Sequence, residues 1–337
     1  MSKDINRILI ETAVKRALRD MDEAPERAAR NLVDLGMNFS GGRFQKRFLG
    51  TAREMLRNED SAYYQLIRDI ITHVDREILL DFGINLGYNS CTKGAEAIRS
   101  LEAQKGFNIP WSLSLALDEE CLEKRKEIYA SILKQGTSLG IYTYLLFFHE
   151  GNPLKLSGLI KENRDCAFVI FLRGGKITEA YVNGTRGAKN VMTAVYEDHD
   201  AQEACKRLRQ AGLLYGIYRI YSEEDKESIL DGRWLSGIRK ALPYFAFLLP
   251  DDNCTSKTCE QVYAYVLSVR TGHRHPVILL DLKRDSMEID GIISDGVCMA
   301  GFDRAGRLRT SGGIQDREEY NIFKNSLESI LQMTMKK

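Results

Sequence analysis

Three side chains near predicted strand ends have the chemistry of general acids, general bases or anion binders. Glu197 and His199 lie at the end of the apolar run 191–197, and Arg219 lies inside the apolar run 214–221. A carboxylate and an imidazole can move protons near neutral pH, and a guanidinium can hold an anion. Glu197, His199 and Arg219 are therefore the candidate catalytic residues. An internal ion pair explains Arg219 equally well, because a buried guanidinium needs a partner.

Cysteine thiols form a second set of candidates, since thiolates bind zinc and iron. The chain has 7 cysteines, and their spacing is not that of a secreted disulfide scaffold. Buried structural thiols are the preferred interpretation, so no metal is expected. Four cysteines follow predicted strands whose ends a closed barrel would bring together, and these could hold a metal from unusual positions. They are Cys91, Cys121, Cys254 and Cys259.

Short apolar runs alternate with longer amphipathic stretches from residue 77 onward. This alternation predicts parallel strands joined by helices. The sequence therefore predicts an α/β fold of the (β/α) TIM-type barrel, with a doubly wound open sheet as the alternative. The predicted strands are residues 78–82, 112–117, 141–148, 167–172, 191–197, 214–221, 244–249 and 277–282.

The chain divides into three predicted parts. Residues 1–75 show only helical periodicity and form an N-terminal helical extension, residues 76–295 form the barrel, and residues 296–337 form a C-terminal tail. Within the extension, residues 43–57 are basic. A solvated helix face is the preferred interpretation of this basic segment, and a docking surface for a protein or a nucleic acid is the alternative.

Composition narrows the range of partners. Lys and Arg total 48 against 47 for Asp and Glu, so no global field attracts nucleic acid or an anionic membrane. No apolar run approaches the ~20 residues that span a bilayer, and the first residues lack a signal-peptide core. The expectation is a cytoplasmic protein with no membrane partner and no nucleic-acid partner.

One segment, residues 84–91, has a suggestive spacing between the predicted strand 78–82 and a predicted helix. It resembles the cluster loop of the radical SAM superfamily, in which Cys-x3-Cys-x2-Cys follows the first barrel strand. Here Ile84, Tyr88 and Cys91 occupy those three places. The C-terminal tail, beginning near Cys298, resembles a degenerate form of the auxiliary-cluster extension of many members. The chain is identified as a degenerate member that lacks the motif.

The resemblance has consequences for cofactors. In the family, three thiolates hold a [4Fe-4S] cluster that binds S-adenosylmethionine. Ile84 and Tyr88 cannot replace thiolates, and the family's Gly-Gly-Glu stretch is missing after the predicted strand 112–117. The resemblance therefore implies a radical-SAM-like barrel that has lost this chemistry and for which no cofactor is expected. The alternative is an active radical SAM or iron–sulfur enzyme with atypical ligands, which would use both the cluster and S-adenosylmethionine.

The preferred function is binding of a small molecule or a peptide at the barrel mouth. Gly87 would permit a tight turn there, while Asn85, Tyr88 and Asn89 would present hydrogen-bonding groups to the ligand. The N-terminal helices would cover the barrel or dock a partner protein. Two further functions stay open: an enzyme that uses the candidate catalytic residues, and an interaction module that uses the basic N-terminal helices.

Overall fold

The N-terminal part of the molecule is entirely helical. The structure is a computed structural model, and it describes residues 5–39, 42–294 and 296–336. Asp295, the predicted last residue of the barrel, lies outside the described residues. The helices before the first strand are α1 (Ile5–Asp20), α2 (Pro25–Phe39), α3 (Arg43–Met55), α4 (Ala62–His73), α5 (Arg76–Ile84) and α6 (Ala95–Lys105), with a π-helical segment, Asn85–Gly94, between the last two.

Seven parallel strands follow, and one or two helices separate each strand from the next. The elements in chain order are β1 (Ser112–Leu117), α7 (Glu119–Ser138), β2 (Thr143–Phe148), α8 (Ser157–Glu162), β3 (Ala167–Arg173), α9 (Glu179–Thr185), β4 (Val191–Tyr196), α10 (Ala201–Gln210), β5 (Tyr215–Tyr221), α11 (Lys226–Leu230), α12 (Arg233–Ile238), β6 (Phe245–Pro250), α13 (Ser256–Gly272), β7 (Ile278–Asp281) and α14 (Leu282–Ile293).

Three short strands and one helix complete the chain. They are β8 (Ala300–Phe302), β9 (Leu308–Thr310), β10 (Gly313–Gln315) and α15 (Leu327–Thr334). The sheet order is β10-β9-β8-β1-β2-β3-β4-β5-β6-β7, and the sheet curls into a half-barrel. Strand β8 runs parallel to β1, and β9 and β10 add antiparallel strands beyond it. The predicted α/β barrel fold is confirmed, as an open half-barrel.

Successive residues of each strand face opposite sides of the sheet. The Tyr144 hydroxyl donates to the carbonyl oxygen of Leu133 in α7 at 3.2 Å, so Tyr144 faces the outer helices. Phe147 has the opposite orientation, and its ring stacks on Phe171 with 4.3 Å between centroids. The residues of β3 from Ala167 to Leu172 are buried, as expected for a strand covered on both faces.

One predicted strand is wrong. Residues 78–82 lie in α5, whose first turn is capped by the Asp75 carboxylate, which accepts from the backbone N–H of Glu77 at 2.8 Å. A short apolar run fits a buried helix as well as a buried strand, and the cap decides for the helix. The helical region therefore extends to Lys105, well beyond the predicted boundary at residue 75. The other seven predicted strands correspond to β1–β7.

The N-terminal helices attach to one end of the half-barrel. Backbone hydrogen bonds of 2.8 Å link Ala62 to His273, just before β7, and Asp75 to Gly212, just before β5. These partners precede strands, so the helices cover the amino-terminal ends of the sheet. The predicted cover over the barrel is thus at the end opposite to the mouth. No helix of the described residues is long and apolar enough to cross a bilayer.

The π-helical segment packs closely against the turn before β2. A methyl group added at Gly94 would overlap the carbonyl oxygen of Gly140 and would lie 2.7 Å from the carbonyl oxygen of Asn89. Gly140 itself has a φ of +93°, which favours glycine. Two glycines therefore permit the close backbone approach that seats this segment.

This contact generates a stability prediction. We expect Gly94→Ala to lower the free energy of unfolding by about 2 kcal/mol or more, because the backbone must move to admit the methyl group. Gly87→Ala is the matched control, since a methyl group at Gly87 meets no atom within 4 Å, and it should be neutral or stabilising by about 0.5 kcal/mol. Urea unfolding measures both changes. Equal effects of the two substitutions would contradict the proposed contact.

Candidate functional site

The segment predicted to line the barrel mouth lies at the opposite end of the sheet. The Asn85 side-chain amide donates to the carbonyl oxygens of Arg164 at 2.7 Å and Cys166 at 3.0 Å, and Asn89 donates to that of Asp165 at 2.9 Å. These carbonyl groups immediately precede β3. The predicted placement of Asn85, Gly87, Tyr88 and Asn89 at the mouth is therefore wrong.

The physical reason is that the segment is helical, with no loop after a strand. Gly87 makes no tight turn, since it lies within the π-helical segment. Tyr88 is 9% exposed, and the Ser90 hydroxyl lies 2.7 Å from that of Thr143, the first residue of β2. The amides donate to backbone carbonyl groups of the loop before β3 and so attach the segment to the sheet.

In the structure, a different segment follows the first strand, so the cluster-loop motif must be compared with that segment. The first strand of the sheet is β1, and the residues after it begin Asp118-Glu119-Glu120-Cys121. Read from Cys121, the three places of Cys-x3-Cys-x2-Cys hold Cys121, Arg125 and Ile128. Asp118 caps α7 by accepting from the Cys121 backbone N–H at 2.7 Å, so a helical turn stands at this place.

The four candidate metal-binding cysteines do not converge. Cys91 is buried in the π-helical segment, where burial raises the pKa of its thiol to about 12. Cys121 follows β1, whereas Cys254 and Cys259 follow β6, five strands further along the sheet. Within the described ranges, the one group of three or more potential metal ligands is Asp198, His199 and Asp200, which contains no thiol. These residues do not fit a cluster held by three thiolates.

The candidate catalytic residues separate into a pair and an isolated histidine. The Arg219 guanidinium donates to Glu197 at 3.1 Å and also to Asp225, and the Trp234 indole N–H donates to Glu197. Arg219 is thus held in an internal ion-pair network, the alternative that the sequence left open. His199 does not join this network, because its side chain is 89% exposed and lies 3.3 Å from Asp200.

The concave side of the half-barrel contains a feature that the sequence did not predict. Six aromatic rings share the concave side of the half-barrel, which we call the inner aromatic face. The Phe171 ring is the centre of this face, since it stacks on Phe147 and meets the edges of Tyr218 and Phe247 at 5.1 and 5.9 Å. The full set is Phe147, Phe171, Tyr196, Tyr218, Phe245 and Phe247.

Strand pairing places further side chains on this face. Ile220 lies two residues after Tyr218, and its side chain is 45% exposed. Arg173, the last residue of β3, pairs in register with Tyr196, and its guanidinium lies 5.1 Å from the Tyr196 ring centroid. Among the described residues, no carboxylate lies within ion-pair distance of Arg173. This cation ends an apolar run, a sequence signal like the one that identified Glu197.

The basic segment of the N-terminal helices is partly neutralised. Arg53 pairs with Asp34 at 3.0 Å, Arg57 with Glu54 at 2.9 Å, and Arg47 approaches Glu288 at 3.8 Å. These exposed pairs reduce the positive charge available to a polyanion. They agree with the interpretation of residues 43–57 as a solvated helix face.

Comparison with known proteins identifies the class of fold. No family model matches the chain, and no curated protein matches it. Streptococcus suis SuiB bound to precursor peptide SuiA is similar in structure, with a TM-score of 0.50 and 10% identity over 69% of this chain and 67% of SuiB. Such neighbours are radical SAM enzymes, and the chain shares their fold.

Two further solved structures carry ligands in their descriptions. SuiB bound to S-adenosylmethionine has a TM-score of 0.48 and 10% identity over 68% of this chain and 67% of that one. Native anSMEcpe with bound AdoMet and Cp18Cys peptide has a TM-score of 0.43 and 10% identity over 65% of this chain and 80% of that one. Both of these neighbours are described with bound S-adenosylmethionine, and the expectation that no cofactor is involved is contradicted.

A buried carboxyl group at the carboxyl end of β7 generates a pH prediction. Burial raises the pKa of Asp281 to about 6, above the ~3.9 of an unfolded chain. Between these two values the folded state binds more protons than the unfolded state. The contribution of Asp281 to the free energy of unfolding is therefore fully present at low pH and is lost as the pH rises through about 6. Asp281→Asn keeps an oxygen for the backbone N–H of Arg284, which now donates to Asp281 at 2.9 Å.

We expect Asp281→Asn to gain stability over the wild type by about 2 kcal/mol between pH 4 and pH 7. Urea unfolding at several pH values gives this difference. The exposed Asp60→Asn is the control and should show no such gain. A difference between Asp281→Asn and wild type that is constant with pH would contradict the prediction.

Proposed function

We propose that the protein binds a peptide along the inner aromatic face, at the mouth of the half-barrel. The observation that carries the proposal is the accessible edge of this face, where Phe147, Tyr196 and Ile220 are partly exposed around the buried ring of Phe171. Aromatic side chains supply large apolar contact area, and ligand sites are concave, apolar surfaces with a few polar groups. The description of SuiB bound to its precursor peptide supports a peptide as the ligand class.

Exposure at the mouth supports access for the ligand. Ile220 is 45% exposed although it belongs to an interior strand, and Phe147 and Tyr196 are only partly buried. When a ligand covers apolar side chains, binding becomes more favourable by ~25 cal/mol for each Å² of apolar surface removed from water. An apolar or aromatic side chain of the peptide would cover this part of the face.

Arg173 gives the proposed ligand a second requirement. Its guanidinium lies over Tyr196, on the same side of the sheet as Phe171, and it is not ion-paired within the part of the chain that the structure describes. A guanidinium at the edge of an apolar surface binds a carboxylate through charge-assisted hydrogen bonds. The preferred peptide therefore carries an apolar side chain close to an acidic side chain or to its own C-terminal carboxylate.

Substitutions on the inner face test this proposal. The probe is a dodecapeptide selected from a random display library on the wild-type protein, and fluorescence anisotropy measures its affinity. We expect Ile220→Asp to weaken binding at least tenfold, because the new carboxylate loses hydration when the peptide covers it. Val297→Asp is the matched control, since Val297 is also half exposed, at 50%, but precedes β8 at the other end of the sheet.

Arg173→Gln tests the carboxylate requirement separately. We expect it to weaken a carboxylate-bearing peptide about tenfold and to leave the amide analogue of that peptide unchanged. Urea unfolding of each variant verifies the fold. Equal affinities of Ile220→Asp, Val297→Asp and wild type would contradict the inner face as the site, and an equal loss for both peptides would contradict the role of Arg173.

S-adenosylmethionine is the second ligand to test, because SuiB, whose fold the chain shares, is also described bound to it. The described cysteines do not gather three thiols, so we expect any S-adenosylmethionine binding to be independent of Cys121. The measurement is calorimetric titration after anaerobic incubation with iron and sulfide, together with iron quantitation, for wild type and Cys121→Ser. Loss of both bound iron and S-adenosylmethionine in Cys121→Ser would contradict this expectation and indicate a cluster with atypical ligands.

A further inference from the structure

A second concave site lies at the opposite end of the half-barrel. A cavity of about 560 Å³ opens between α4 and the chain that leads into β6 and β7. Its volume is in the range of small-molecule sites, which is about 300–1,000 Å³. Because its lining residues precede strands, this cavity is separate from the inner aromatic face. The lining residues include Leu235, Ile238, Leu242, Pro243 and Val277.

The floor of the cavity is apolar and its rim is basic. Leu235, Ile238 and Val277 are buried at the base, while Arg239 and Lys240 are exposed at the rim. In the described part of the chain, neither rim cation forms an ion pair or a side-chain hydrogen bond. This arrangement offers an apolar surface next to free positive charge.

The acidic group of the cavity is already neutralised. Asp69 accepts two hydrogen bonds from the Arg209 guanidinium and lies 3.2 Å from the His73 imidazole. The third rim cation, Arg68, is paired with Glu26. The charge that remains for a ligand is therefore that of Arg239 and Lys240, which favours an anion.

Leu242 adds exposed apolar surface at the rim of the cavity. Its backbone is left-handed, with a φ of +47°, although leucine rarely adopts this conformation. Its side chain is 54% exposed at the cavity rim, so a strained backbone presents an apolar group to water. The backbone conformation ends a helical turn and presents the Leu242 carbonyl oxygen to the Tyr215 hydroxyl at 2.7 Å, whereas the exposed side chain is apolar surface that a ligand would cover.

We infer that this cavity binds an amphipathic monoanion, a carboxylate on an alkyl chain. The chain would lie against Ile238, Leu242 and Val277, and the carboxylate would meet Arg239 and Lys240. Charge complementarity selects an anion over a neutral lipid, and the apolar floor selects an alkyl chain over an inorganic anion. The site is independent of the peptide proposed at the inner aromatic face.

Calorimetric titration of the full chain with octanoate, decanoate and dodecanoate tests the inference. We expect the affinity to rise about fourfold for each added methylene until the cavity is filled. Decanol has the same chain length as decanoate without the charge, and it should bind at least tenfold more weakly. Absence of dodecanoate binding, or equal affinities for decanol and decanoate, would overturn the inference.

Three exposed substitutions locate the site. Lys240→Glu should weaken decanoate at least tenfold, and Lys126→Glu is the control, with the same change of charge on α7. Leu242→Asn should also weaken decanoate, because asparagine keeps the left-handed conformation and removes the apolar surface. If all three variants bound decanoate with the same affinity, the inference would be overturned. A wild-type dimer that Leu242→Asn dissociates would also overturn it, because a second copy of the chain would then occupy the cavity.

Discussion

The hydrogen-bonded ladder of parallel strands is the constraint on which the rest of the molecule depends. Strands β1–β7 all run in one direction, so their carboxyl ends share one edge and their amino ends share the other. The molecule therefore has two chemically different ends. Arg173 and the exposed Ile220 lie towards the carboxyl ends of their strands, whereas the helical extension and the basic cavity belong to the amino ends.

The helical extension closes the amino-terminal end through specific polar contacts. Loops before parallel strands carry carbonyl groups that need donors when they are buried. Asn85 and Asn89 supply these donors to the loop before β3, and the backbone of Asp75 supplies one to Gly212 before β5. The two buried asparagines of the π-helical segment are thus explained by the loop carbonyl groups that accept their hydrogen bonds.

The sequence was sufficient to predict the barrel fold but not to place its candidate site. The apolar runs that became β1–β7 alternate with helices so regularly that the α/β fold followed from them. The run 78–82 misled because a short run with four apolar residues fits a buried helix as well as a strand, and the deciding signal was Asp75 at the helix start. That one error shifted the strand count, so the cluster-loop resemblance was placed at Cys91 although the residues after the first strand lead to Cys121.

The inner aromatic face could not be recognised from the sequence, for a physical reason. Strands buried on both sides have no polar–apolar alternation, so Phe147 and Phe148 look alike although they face opposite sides. Tertiary pairing decides which of them meets Phe171. Arg219 was found because a charge in an apolar run stands out, but its partners Glu197 and Asp225 lie 22 and 6 residues away in the sequence, and only folding brings them to Arg219.

Photocrosslinking tests the peptide site most directly. The selected dodecapeptide is irradiated with two versions of the protein, one with p-benzoylphenylalanine in place of Ile220 and one with it in place of Val297. Mass spectrometry then identifies the joined residues. We expect crosslinks to the peptide from position 220 that an excess of unlabelled peptide suppresses, and none from position 297. Crosslinks from position 297 alone would contradict it.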